Sequence, residues 1–260
     1  MLGTFGVWGS HYEWAGKIGE VAELEALGYG TFWIGASPDI ALVEQALNAT
    51  TSMTIATGIT NVWQTEPEAI SAEFHRLASD RFLLGVGAGH RQLDQAYEKP
   101  YDKLVSYLDR LDVPADRLVL AALGPKVLKL AADRTAGAHP YLVPVEHTAE
   151  ARKALGDKLL APEVTVVVEE DPVAARAIAR EQLAVYFTLT NYVNNWRRYG
   201  FTEEDVQGSD RLLDALVAHG SPDQVAAKLQ AHVDAGADHV AVQSLNGHYA
   251  ELAGALGLRE

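Results

Sequence analysis

The sequence predicts an α/β domain in which eight parallel strands close into a (β/α)8 barrel of the TIM type. Three observations carry this. Eight apolar, strand-like stretches alternate with amphipathic or Ala-rich helical stretches along the whole chain, and such alternation builds a parallel sheet covered by helices. The length of 260 residues suits one barrel, which takes about 250. Pro/Gly-rich linkers and low-complexity tracts are absent, so residues 1–260 read as one domain.

Strands are expected near residues 3–8, 31–36, 53–60, 82–87, 117–122, 138–143, 163–168 and 238–243. Helices are expected near 13–27, 39–49, 67–79, 98–111, 125–134, 147–156, 172–198 and 222–235, with 248–257 after the last strand. The third strand, MTIATGITNVW, mixes β-branched and small residues. Thr65, Pro67 and Glu68 then supply a cap, a first-turn proline and a capping acid, and Ile70, Phe74 and Leu77 form the buried face of the helix. In the fourth strand, RFLLGVGAGH, the two-residue pleat puts Gly85, Gly87 and Gly89 on one face. That row either leaves space for something flat or accommodates a bulky neighbour. The fifth strand runs into Gly124-Pro125, a helix follows, and Gly137 opens the sixth strand. Before the last strand the crossover lengthens to residues 172–237. It holds a helix ending in NYVNNWRRYG, a segment RLLDALVAHG and a Ser221-Pro222-Asp223 helix start, and is expected to be helical throughout. Its extra helices either cover the barrel mouth or form a subunit interface.

Composition excludes several functions. A net charge of −14 disfavours general binding to nucleic acid or anionic membranes. With no Cys, thiolate catalysis and cysteine-ligated metals are excluded. The opening MLGTFGVWGSHYEW has neither the basic start nor the apolar run of a signal peptide, and no stretch approaches a membrane span, so a cytoplasmic protein is expected.

In such a barrel, function lies at the C-terminal strand ends. These carry Trp8, Ser10 and His11; Ala36 and Ser37; Asn61, Trp63 and Gln64; His90 and Arg91; Gly124 and Lys126; Tyr141; Glu169 and Glu170; and Gln243, Ser244 and Asn246. The set is rich in aromatic and amide groups. It contains no spaced His/Asp/Glu ligand set, so no metal is expected. P-loop, GxSxG and Rossmann motifs are also absent. The Gly124-Pro125 turn is a plausible anion site, because free N–H groups and the positive end of a helix dipole converge there. Arg91 and Lys126 would add positive charge in an otherwise acidic protein. Most of the tryptophans are expected to pack in the core; Trp8 and Trp63 stand where they could touch a ligand. The stripe Tyr186, Tyr192, Trp196 and Tyr199 reads as a packing face, and His239 lies at the wrong strand end for catalysis.

The motifs GVWG, FWIGA, ATGITNVW, DRFLLGVGAGH, LAALGPKVLKLAADRTAGAHPYL and AGADHVAVQ occur in this order over nearly the whole chain. Together they resemble the luciferase-like flavin and deazaflavin oxidoreductases, within them the actinobacterial group that uses coenzyme F420. The resemblance implies a (β/α)8 barrel, a cofactor across its C-terminal mouth, hydride transfer with a small organic substrate, and a homodimer. It implies a non-proline cis peptide at Gly58-Ile59 beneath the middle ring of the cofactor, with Asn61 just beyond. It also implies cofactor contact at Gly87, Ala88 and Gly89, with His90 where relatives often carry an acid or another polar group, and a phosphate on the turn Leu123-Gly124-Pro125; Trp8 and Lys126 join the expected cofactor contacts by their positions in the chain. His11, His90, Tyr141 and Glu169 are the candidate proton donors. Many relatives end the second strand with an acid and a His; Gly35-Ala36-Ser37 has neither. Two alternatives stay open: an FMN-dependent luciferase-like monooxygenase, and a non-catalytic barrel that binds flavin or a metabolite.

Overall fold

The computed structural model describes residues 2–90, 92 and 99–258. Among them, eleven strands form one sheet: β1 (Phe5–Ser10), β2 (Thr31–Gly35), β3 (Thr54–Gly58), β4 (Thr60–Asn61), β5 (Phe82–Gly87), β6 (Leu118–Leu120), β7 (Gly137–Ala138), β8 (Leu159–Leu160), β9 (Glu163–Val168), β10 (Val217–Gly220) and β11 (Val240–Ser244). Every pairing between these strands is parallel. The sheet curls and closes through residues 159–163, which are bonded on both sides. Leu159 N, Ala161 N and Glu163 N donate to Ala136, Ala138 and Pro140 carbonyls at 2.8–2.9 Å, while Asp238 N and Ala241 N donate to Leu160 O and Pro162 O at 2.9 Å.

Strand alternation divides the core. Phe32, Ile34, Phe82, Leu84, Val240 and Val242 face outward and pack with helix residues such as Val43, Ile70 and Leu104. Trp8, Trp33, Ala56, Leu83, Val119, Ala161 and Ala241 face inward and fill the barrel. Three of the seven inner residues are alanines, and the two indoles are the bulkiest members of the set. Helices start where the sequence places proline in the first turn: Pro67–Leu77, Pro100–Arg110, Pro125–Arg134, Pro172–Gln182 and Pro222–Asp234. Ser221 and Gln224 complete a reciprocal capping box on the last of these. Among the described residues no helix is long and apolar enough to cross a membrane.

Three expectations need correction. The crossover over 172–237 is not helical throughout: Val217–Gly220 is a strand, paired with Thr165–Val168 where β9 leaves the barrel wall. Leu216, Val217 and Ala218 continue the apolar pattern of the preceding helix, so the sequence hides the change of state. The expected helix over 172–198 breaks after Gln182 and resumes as a 3-10 turn, Tyr186–Thr188, and a helix, Thr190–Arg198. A β-branched and aromatic run crosses the break, and such residues support a helix weakly. The expected helix over 13–27 is likewise reduced to His11–Trp14, a 3-10 turn Ile18–Glu20 and Val21–Ala26, with Gly16 at the interruption and Gly19 within the 3-10 turn.

Candidate active site

At the C-terminal ends of the strands lies a cavity of about 590 Å3. Its floor is built by a tryptophan lying on glycines. A Cβ on Gly35 would fall 2.0 Å from Trp8 Cζ2, and one on Gly58 would fall 2.7 Å from Trp8 Nε1. The Trp8 indole therefore rests on two bare α-carbons, and its Nε1–H donates to Gly58 O at 3.2 Å. β3 ends in the cis peptide Gly58-Ile59, after which β4 resumes pairing with β5. The bulge is tied to the second strand end: Ser37 N donates to Ile59 O at 3.0 Å, and Asn61 N donates to Ser37 Oγ at 3.1 Å. Ala36 and Ser37 reach this position with positive φ, 62° and 57°. The stretch that lacks an acid and a His thus holds the bulge.

The glycine row of β5 serves the same bulge. A Cβ on Gly85 would meet Thr57 O at 2.1 Å, and one on Gly87 would meet Ile59 Cγ1 at 2.9 Å. Of the two readings of that row, accommodation of a neighbour holds for Gly85 and Gly87, which lie beneath Ile59 and do not line the cavity. Gly89 lies past the strand end with φ 56° and does line it, with Ala88 and His90.

One wall is aromatic. Tyr141 OH donates to Gln243 Oε1 at 2.7 Å and lies 3.1 Å from Tyr186 OH, and its ring centroid is 5.1 Å from that of Trp8. Burial pushes the Tyr141 phenol well above its ordinary pKa, and Tyr186 and Glu163 add to the effect. Its proton is thereby retained. Residues 185–192 of the crossover close the cavity from above through Val185, Tyr186, Leu189, Asn191 and Tyr192. Behind them Trp196 is fully buried and donates Nε1–H to Leu142 O, so the aromatic stripe packs on a second core cluster as expected, but its members Tyr186 and Tyr192 also face the cavity.

The other end of the cavity is the turn at Leu123-Gly124. Gly124 is the cap of the helix Pro125–Arg134. The Leu123 carbonyl is held from behind by His147 Nε2–H at 2.9 Å. Val127 N–H turns back to Gly124 O at 3.1 Å, and Pro125 has no N–H. The Gly124 and Lys126 amides remain without a partner among the described residues. Arg198 stands over the turn, its Nη1 3.5 Å from Leu123 O and 3.8 Å from the place a Gly124 Cβ would take. Among the described residues neither Lys126 nor Arg198 forms an ion pair. The sequence reading missed Arg198, which lies far along the chain from this turn; Arg91, which it did name, falls outside the described residues.

Residues 103–239 match the family described as luciferase-like monooxygenase. The chain belongs to the luciferase-like monooxygenase family. Solved structures of the same fold include an F420-dependent secondary alcohol dehydrogenase in complex with an F420-acetone adduct, 13% identical over 100% of both chains with a TM-score of 0.78. A coenzyme F420-dependent tetrahydromethanopterin reductase from Methanopyrus kandleri is 17% identical over 99% of this chain and 97% of its own, TM-score 0.74. The oxygenating constituent of 3,6-diketocamphane monooxygenase from Pseudomonas putida, in complex with FMN, is 15% identical over 98% and 96%, TM-score 0.64. No curated protein matches the sequence significantly.

Within this luciferase-like barrel the expected site residues divide. Trp8, Gly58, Ile59, Asn61, Ala88, Gly89, His90, Leu123, Gly124, Lys126 and Tyr141 line one cavity. Pro125 begins the helix beside it. Glu169 does not line it, because β9 turns away toward β10; its carboxylate accepts from Asp171 N at 2.9 Å. His11 also stands outside the lining, with Nδ1–H donating to Gly35 O at 3.1 Å. Trp63 braces the site from behind by donating Nε1–H to Ala88 O at 2.6 Å. The sixth strand, expected over 138–143, ends at Ala138, and just beyond it His139 lines the cavity together with Tyr141; His139 escaped the sequence reading.

Proposed function

We propose that this chain is an oxidoreductase that binds coenzyme F420 across the barrel mouth and exchanges hydride with a small organic substrate. The observation that carries this reading is the cavity's two-ended form. One end has a floor of indole over bare glycine, suited to a planar ring; the other has a helix start flanked by Lys126 and Arg198, suited to a phosphate. The motif resemblance to the F420-using group is what favours the deazaflavin over FMN; proteins of this fold bind one or the other.

A bound deazaflavin supplies the hydride chemistry; the residues of this chain bind, orient and exclude water. Trp8 and the Gly58-Ile59 bulge form the ring's support. The tyrosines 141, 186 and 192 keep the reacting space dry. Tyr141 is a fixed donor to Gln243, not a proton source. His90 is the proton-transfer residue we favour among the original candidates: it lines the cavity, and its Nδ1 is held 3.0 Å from Asn191 Oδ1. The crossover then both covers the ring and aims the imidazole.

The test is Gly58→Val. Its Cβ would strike Trp8 Nε1 and drive the indole up into the space assigned to the ring. The expected result is a folded barrel, by circular dichroism, with F420 affinity lowered about tenfold or more, as loss of one large packed contact implies. Unchanged affinity in the folded variant would place the ring elsewhere.

A further inference from the structure

His139 is only 2% exposed, yet it lines the floor of the cavity. Its hydrogen bonding fixes which nitrogen carries the proton. Nδ1 lies 2.7 Å from Ala161 O, and a carbonyl only accepts, so Nδ1 is the N–H. Burial lowers the pKa of the imidazole to about 4, against the raising effect of the Ala161 bond, so the ring is neutral and Nε2 bears a lone pair.

The ring cannot tip. It is stacked on Trp33 with centroids 4.1 Å apart and planes 6° from parallel. Trp33 is in turn anchored from below: its Nε1–H donates to His239 Nε2 at 3.0 Å, and His239 Nδ1–H donates to Gly3 O at 2.7 Å. An imidazole, an indole and a second imidazole thus run down the barrel interior, each held in one orientation.

At the top of this column, His139 Nε2 has no hydrogen-bond partner among the described residues. It faces the bare α-carbon of Gly58, 3.2 Å from where a Cβ would sit, beside the Trp8 indole. A buried acceptor left unpaired is unfavourable, and native structures rarely keep one without a use. Gly58, Trp8 and His139 all line the cavity, so the lone pair belongs to whatever occupies its floor.

We infer that His139 is a ring-binding residue: its Nε2 accepts a hydrogen bond from an N–H or O–H at the edge of the planar heterocycle that the cavity holds. The inference rests on the function proposed above and adds a selection rule. A heterocycle whose buried edge carries a proton is favoured over one that offers only lone pairs to His139.

The experiment uses the full chain labelled with 15N-histidine, titrated with F420 and, separately, with FMN. In the free protein His139 Nε2 should resonate as an unprotonated nitrogen. On saturation with F420 it should move upfield as it gains a hydrogen bond, with Nδ1 nearly unchanged. Two variants accompany this. His139→Phe keeps an aromatic face for Trp33 but has no acceptor, and should bind F420 about tenfold more weakly, the effect of one lost hydrogen bond. His139→Gln can place its amide oxygen near the position of Nε2 and should recover most of the affinity. A Nε2 resonance that stays put at saturation would overturn the assignment without any variant, as would a folded His139→Phe that binds like wild type. If neither ring saturates the unsubstituted protein, the proposed function itself is refuted, and this inference falls with it.

Discussion

Gly124→Asp should lower the affinity for F420 by at least about a hundredfold while leaving the barrel as stable as wild type or more so. The backbone there, φ −91° and ψ 156°, is extended and open to any residue. A side chain would enter free space, its nearest neighbour being the Arg198 guanidinium at 3.8 Å. Asp is also a better helix cap than Gly, by a few tenths of a kcal/mol or more. The new carboxylate would accept from the helix start and pair with Arg198, and so occupy the place of the ligand's anion. Charge-assisted hydrogen bonds contribute roughly 1.5–3 kcal/mol each, so losing two of them gives the hundredfold. The two readouts, binding and melting temperature, should therefore move in opposite directions. Normal F420 binding by a folded Gly124→Asp protein would remove the turn from the site.

The second large effect concerns pH. Glu163 is fully buried, and burial pushes its carboxyl up to about 8 against the hydrogen bonds from Thr165 Oγ1 and Leu142 N that favour the anion. The folded protein then holds a proton that the unfolded chain releases near its ordinary value of 4.5. Between those two values the folded state binds more protons, so stability must fall as pH rises, by up to about 1.4 kcal/mol per unit. Glu163→Gln should abolish this slope. The amide can still receive Leu142 N–H through its oxygen and donate to Thr165 Oγ1, which is able to accept. Buried histidines act on the other side: burial lowers His139, His232 and His239 to about 4. Their neutral forms disfavour the folded state as pH drops below about 6.5. Urea unfolding of both proteins at pH 6 and pH 8.5 checks the account through their difference, in which the histidine contributions cancel: the stability of wild type relative to Glu163→Gln should fall between the two pH values. A difference that stays constant would contradict it.

The parts of this molecule that could be read from the sequence are those written locally. Pro67, Pro125 and Pro222 mark helix starts because the first turn tolerates a missing N–H. The strand Phe82–Gly87 stands out by its apolar run. The cis bond at Gly58-Ile59 was legible only through family resemblance; no local spacing rule yields it. Long-range features were hidden. Gly85 and Gly87 signal close approach, but that Ile59 and the Thr57 carbonyl are the approaching groups depends on the register between β3 and β5. Val217–Gly220 reads as the end of a helix until a partner, Thr165–Val168, is present. His139 stands two residues before Tyr141 within the stretch 138–143 expected as a strand, where the pleat would put both on one face, a clue the sequence did offer. Its importance, however, rests on Trp33, Ala161 and Gly58, which are brought to it only by barrel closure. The same holds for Arg198, delivered to Leu123 by the crossover.

The most direct test of the central claim is equilibrium binding of F420 and of FMN to the same preparation at equal salt, followed by the ring absorbance of each. The account predicts that F420 saturates the protein tighter than FMN, with a shifted ring spectrum that reports transfer from water to the indole-floored cavity. Tighter FMN binding accompanied by substrate-dependent oxygen uptake would contradict it and identify a monooxygenase instead.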